Sequence, residues 1–200
     1  MNRLSIFFIA SLALLVAACG PLAQLWERNA AVMPDTSPSA NQPADAATAS
    51  VAYAGPEWTR ISLTDVRSGE SFTLADFAGK VVYVEPMATW CSNCRAQQRE
   101  VRAILDRFGA DEVVFLSLSV EIGLGENVLA DYAATNDFQW RFAVANQDLL
   151  NALVAQFGRS VATPPATPHF FIAPDGTVSA LSTGMHNAAR LEELIRAVQG

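Results

Sequence analysis

Cys91 and Cys94 are separated by Ser92 and Asn93 in the stretch VVYVEPMATWCSNCR, which runs from Val81 to Arg95. Two sulfurs at that spacing fit three chemistries: half of a zinc site, a structural staple, or a dithiol that exchanges with other disulfides. Zinc needs further ligands, and they are missing. The chain's two histidines, His169 and His186, stand far outside the spacing of paired zinc histidines, and no second cysteine pair exists. A staple over two intervening residues closes so short a loop that it removes little freedom from the unfolded chain. Exchange remains, and it uses both sulfurs.

Exchange requires a thiolate, so the elements around the pair matter. Val81 to Val84 is a continuous β-branched and aromatic run without alternation, as expected of a central strand buried on both faces. Downstream, Val101, Ile104, Leu105 and Phe108 recur at helical spacing, and Gly109 stands where the helix should stop. A helix beginning near Cys91 places that sulfur at unpaired backbone N–H groups and the positive end of the helix dipole, which favour the ionised thiol.

The remaining chain supplies a scaffold of matching kind. Ile61 to Leu63 and Ser71 to Leu74 flank the Ser68-Gly69 turn signal and predict an N-terminal β-hairpin. Val113 to Val120 reads as a second buried strand, Glu126 to Ala134 as a helix, and Phe142 to Val144 as a short strand. Asp148 is placed to cap a third helix, whose stripe Leu149, Leu150, Leu153, Val154 and Phe157 is closed by Gly158. His169 to Ile172 and Thr177 to Leu181 flank a Pro-Asp-Gly turn, and a last helix starts near Ala188. Strands alternating with helices require parallel crossovers, and the late hairpin adds antiparallel strands at one side. The expected class is α/β, a three-layer sandwich with a central mixed sheet over residues 57–200.

The chain before residue 57 has a different character. Arg3 precedes the weakly polar run LSIFFIASLALLVAA, which is shorter than the roughly 20 residues that cross a bilayer core, so residues 1–18 fit a signal peptide. VAAC at positions 16–19 resembles the lipobox of bacterial lipoproteins, which implies a lipid on Cys19. The other reading is an ordinary signal-peptide cut nearby that leaves Cys19 a spare thiol. Residues 19–56 are rich in Ala, Pro, Ser, Thr and Asn without strand or helix period, the composition of a disordered linker. A net charge of −7 with no basic stripe argues against nucleic acid as a partner.

GKVVYVEPMATWCSNCRAQQREV followed by TPHFFIAPDGTV resembles the TlpA and ResA type of thioredoxin-fold protein, the membrane-tethered thiol-disulfide oxidoreductases of bacteria. The resemblance spans about Glu57 to Gly200. It implies that Cys91 attacks and Cys94 resolves, that Trp90 packs beside them, and that Thr167-Pro168 is a cis-proline dipeptide lying against the disulfide. Residue 167 would then offer its backbone to a client strand. Pro164 and Pro165, the rival prolines, are assigned to loop rigidity. Glu85 stands where thioredoxins carry a buried acid; there its pKa should rise, and it is expected to take a proton from Cys94. The alternative for Glu85 is a solvated strand-end carboxylate, and Pro86 departs from the family's aromatic in a way that would turn Glu85 aside. Arg95, His169, His186 and Met87 are assigned to the solvated surface or to packing.

The implied activity needs no cofactor and no metal. It implies clients that carry disulfides, such as apocytochrome c or copper-site proteins, a membrane thiol donor that re-reduces the pair, and a lipid-anchored location on the periplasmic side of the inner membrane. The competing function is a copper-binding metallochaperone of the same fold, with His186 as the distant ligand.

Overall fold

The computed structural model describes residues 52–200; the expected signal peptide, Cys19 and most of the linker lie outside them. Four strands form the main sheet in the order β5-β4-β3-β6. At its centre β3 (Val81–Met87), buried along its whole length, pairs in parallel with β4 (Val113–Ser119), and β4 pairs in parallel with β5 (Arg141–Val144). On the other flank β6 (Phe170–Ile172) runs antiparallel, with Val82, Tyr83 and Val84 opposite Ile172, Phe171 and Phe170. This is the mixed sheet expected from the alternating sequence pattern.

Side chains of β3 alternate between two cores. Val81, Tyr83 and Met87 face a layer built from α1 (Ser92–Arg102), α2 (Glu126–Thr135) and α4 (Ala188–Gln199), through Val101, Leu129, Leu191 and Ile195. Val82 and Val84 face α3 (Gln147–Phe157) and the N-terminal segment, through Leu149, Leu153, Trp58 and Phe72. Period-two alternation in a strand that is apolar except for Glu85 therefore buries both faces and makes the three layers.

The hairpin of β1 (Leu63–Thr64) and β2 (Ser71–Phe72) is shorter than its apolar flanks suggest. It closes the open edge of β5: Val66 N–H donates to Phe142 O at 2.9 Å, and the Asp65 carboxylate meets Arg141 at 3.1 Å. Covering an edge strand in this way removes a template for chain-to-chain pairing.

Several boundaries differ from the sequence reading. Helix α1 ends at Arg102, and Leu105–Arg107 follow as a 3-10 turn whose flanking residues Ile104 and Phe108 stay buried with Val101. The cap of α3 is Asn146, whose side chain accepts from Leu149 N–H at 2.9 Å, and Asp148 sits inside the first turn, where its charge suits the dipole. In place of a full strand over residues 177–181 there are two isolated bridges, Ile172 with Val178 and, one residue beyond the segment, His169 with Ser182. The fold also takes in part of the expected linker. Ala54 N–H donates to Asp175 O at 2.7 Å, and a Cβ on Gly176, at φ +90, would stand 2.4 Å from Gly55 N. Two glycines let these segments touch, a contact no hydrophobic period announces.

Candidate functional site

Cys91 and Cys94 are joined in a disulfide at the carboxyl end of β3, with Cα atoms 5.3 Å apart, inside the range such a bond spans. Cys91 is the N-cap of α1, and its sulfur accepts the Cys94 N–H at 3.1 Å. The expected helix-terminus environment is thus present as a hydrogen bond. The same donor and the first-turn dipole would stabilise a negative charge on that sulfur once the bond is reduced. Cys91 is 2% exposed and Cys94 fully buried. A cleft of about 100 Å³, lined by Trp90, Cys91, Ser92, Asn93 and Pro165, opens onto the outer sulfur. Trp90 is 63% exposed and forms one wall of it.

The opposite wall departs from the sequence expectation. The loop groups that meet the pair are Pro164, whose carbonyl lies 3.2 Å from Cys94 Sγ, and Pro165, whose carbonyl accepts from Asn93 Nδ2 at 2.9 Å. The sequence reading assigns both prolines to loop rigidity; the structure places them beside the pair. Thr167 is buried, adopts a left-handed backbone at φ +45, and has both backbone groups engaged: its N–H bonds Pro164 O at 2.8 Å, and its carbonyl contacts His169 Nδ1 at 3.2 Å. In this conformation the Thr167 N–H is already taken, and its carbonyl keeps one further lone pair. A β-branched residue at positive φ is costly and is held here by those two bonds.

Glu85 is fully buried, and parity places it on the face of Tyr83 and Met87, which pack in one cluster with both cysteines. The solvated-carboxylate alternative is therefore excluded. Pro86 does not turn it aside, because β3 stays in register with β4 through Met87, and the β6 pairing has already ended at Val84. Neither carboxyl oxygen has a hydrogen-bond partner. Burial alone holds the Glu85 pKa well above the usual carboxylate range. Tyr83, on the same face, is raised well above 10.0 by burial and by the Glu85 charge, and its hydroxyl is also unpartnered.

Arg95 leans over the Tyr132 ring, 6.0 Å from guanidinium carbon to centroid. Tyr132 donates to Gln98 Oε1 at 2.7 Å, and burial outweighs Arg95 in pushing its pKa up to about 12. His169 is fully buried, and its pKa is lowered to about 4, chiefly by burial. His186 packs edge-on against it, with centroids 4.9 Å apart. Among the described residues no group of three or more His, Cys, Asp or Glu side chains is placed to hold a metal.

Sequence reasoning missed Glu121. From the loop after β4 its carboxylate accepts the Thr89 N–H at 2.6 Å and the Thr89 hydroxyl at 3.3 Å, two residues before Cys91. It fixes the segment that carries Trp90, yet a lone acid past a strand has no pattern to announce it. Glu121→Ala should lower unfolding free energy by about 1–2 kcal/mol, the scale of a charge-assisted hydrogen bond, measured by denaturant titration.

No protein-family model and no curated protein matches the chain. Solved structures do. A thiol:disulfide interchange protein of the thioredoxin family from Chlorobium tepidum TLS aligns over 70% of this chain and 93% of its own, at 19% identity and TM-score 0.56. The pneumococcal exposed lipoprotein thioredoxin from Streptococcus pneumoniae strain TIGR4 aligns over 68% and 98%, at 21% identity and TM-score 0.53. A secreted disulfide oxidoreductase of Mycobacterium tuberculosis aligns over 72% and 99%, at 17% identity and TM-score 0.53. Strand order, helix layers and these likenesses agree that the described part of this chain has the thioredoxin-like fold.

Proposed function

We propose that the protein is a thiol-disulfide oxidoreductase whose working couple is Cys91 and Cys94. The observation that carries this reading is the Cys91 sulfur, at once half of a disulfide, the cap of a helix and the floor of a surface cleft. The named activities of the structural neighbours point the same way. In the reduced protein the Cys91 thiolate attacks a client disulfide, forming a mixed disulfide and expelling one client thiolate. The Cys94 thiolate then attacks the Cys91 sulfur, restores the internal disulfide and releases the second client sulfur, so two electrons pass to the client. Trp90 is assigned to the client surface, and Thr167-Pro168 to shaping the loop that places Pro164 and Pro165 at the pair.

The finer reading is a lipoprotein tethered through Cys19 on the periplasmic side of the inner membrane, re-reduced by a membrane thiol donor. Its clients would be apocytochrome c or copper-site proteins. The sequence of residues 1–56 supports the tether, and a lipoprotein thioredoxin among the neighbours is consistent with it. The test is client capture. Cys94→Ser expressed in its native host should accumulate mixed disulfides on Cys91, identified by mass spectrometry after non-reducing separation. Recovery of Cys94→Ser with no disulfide-linked partner would reject the exchange scheme.

A further inference from the structure

Helix α1 carries a line of charge that dithiol exchange does not use. Cys91, Arg95, Arg99 and Arg102 follow one another at spacings of four, four and three residues, which sets them on one stripe of the helix that starts at the attacking sulfur. The Arg95 N–H donates to Cys91 O at 3.2 Å, so the stripe is helical from its first member. This arrangement is costly. Arg95 stands near the start of the helix, where the dipole disfavours a cation, and like charges four residues apart repel. At the far end the charge is answered: Arg102 donates to Asn136 O at 3.1 Å and has the Asp137 carboxylate at 4.0 Å. Nearer the sulfurs it is not. Among the described residues Arg95 and Arg99 form no ion pair. Two acids in the neighbouring sequence are otherwise engaged, Glu100 by the Ala188 N–H at 2.8 Å and Glu121 by Thr89. In a chain of net charge −7, two uncompensated cations behind the reactive sulfur run against the general balance, and a broken local rule of this kind marks a place shaped by function.

Arg95 is also held ready. The Tyr132 ring beneath its guanidinium is fixed in turn by the hydrogen bond to Gln98, and the Arg95 Nε is buried without a hydrogen-bond partner. Burial raises the Tyr132 pKa and the Arg95 and Arg99 charges both oppose it, so the two cations stand in range of one hydroxyl. A guanidinium fork placed in advance suits a carboxylate, which it takes through two parallel N–H bonds.

We propose that Arg95 and Arg99 are a docking strip for an acidic segment of the client protein, which lies along α1 while the client disulfide meets Cys91. The acidic client is the substrate class of the exchange proposed above, and the assignment rests on that reading. Four residues of helix advance about 6 Å and an extended chain about 3.3 Å per residue, so carboxylates about two and about four residues from the attacked client cysteine reach Arg95 and Arg99 in turn. Opposite charge at the strip raises the encounter rate and fixes the client's register on the sulfur.

The experiment sets reduced full-length protein against two disulfide-bridged peptide dimers of one length. One carries aspartate at those two offsets on either side of its cysteine, and the other carries asparagine at the same places. Each rate is divided by that of a small neutral dithiol on the same peptide, which removes the peptides' own difference in reactivity. The wild type should prefer the acidic peptide about tenfold at about 0.05 M salt, and the preference should fade by about 0.5 M, where screening shortens the reach of exposed charges. Arg95→Gln combined with Arg99→Gln should bring the low-salt ratio within about twofold of one. Both peptides are attacked by the same sulfur, so any effect of the substitutions on that sulfur or on folding cancels in the ratio. Arg95→Glu combined with Arg99→Glu should reverse the preference. A wild-type ratio near one, or a preference that survives in the glutamine variant, overturns the docking strip. Reduction of neither peptide by the wild type overturns the exchange reading instead.

Discussion

Cys91→Ser should reduce the rate of disulfide exchange by about a thousandfold or more while leaving the fold in place. A serine hydroxyl is scarcely ionised at neutral pH, so the substitution removes the nucleophile itself, the kind of change that dominates mutant kinetics. The fold should survive for two reasons. Serine is a better helix cap than cysteine, so the bond that the Cys91 sulfur accepts from Cys94 N–H at 3.1 Å has a direct replacement. The disulfide closes so short a loop that chain entropy alone credits it with only about 2 kcal/mol. Circular dichroism together with reduction of a model disulfide checks both halves. Retained exchange in folded Cys91→Ser would move the chemistry away from this sulfur.

The second large effect is on stability against pH, and it has two opposed sources. Glu85 keeps its proton when folded but releases it above about 4.5 when unfolded, so over that window the unfolded chain binds fewer protons and stability falls by about 1.4 kcal/mol per pH unit. His169 has the reverse sign. Unfolded, it binds a proton below about 6.5, whereas folded it resists until about 4, so stability rises with pH between those values at the same slope. The two slopes cancel between about pH 4.5 and 6.5, and above that range only the Glu85 penalty grows, up to its raised folded pKa. Glu85→Gln should therefore gain stability as pH rises from 4 to 6.5 and then level off. His169→Gln should lose stability steadily from 4.5 upward. Urea midpoints across this range decide it, and a wild-type profile that stays level above 6.5 would show that Glu85 ionises freely in the folded protein.

The layers were legible because they depend on side-chain pattern. Val81 to Val84 is a continuous apolar run and Val113 to Val120 is apolar but for two serines, and strands with helices on both sides satisfy them. The sulfurs were legible because cysteine is rare and its spacing carries chemistry. What escaped were relations between distant segments. Asn146 caps α3 in place of Asp148 because capping is decided by which side chain reaches Leu149 N–H, and both residue types suit the role. Pro164 and Pro165 meet the sulfurs because the loop turns through a left-handed Thr167, a conformation that a β-branched residue gives no reason to expect. Glu121 acts through a partner 32 residues away and belongs to no periodic pattern.

The contact between Ala54 and Asp175 gives the molecule a direction. Gly79, just ahead of β3, also donates to the 173–177 turn, through Pro174 O at 2.9 Å, so this fastening lies at the amino end of the central strand, while the sulfurs lie beyond its carboxyl end. Seven residues of strand span on the order of 20 Å. The described chain thus joins the fold at the pole remote from the chemistry, and Ala54 and Gly55 are fastened there, away from the sulfur-bearing rim.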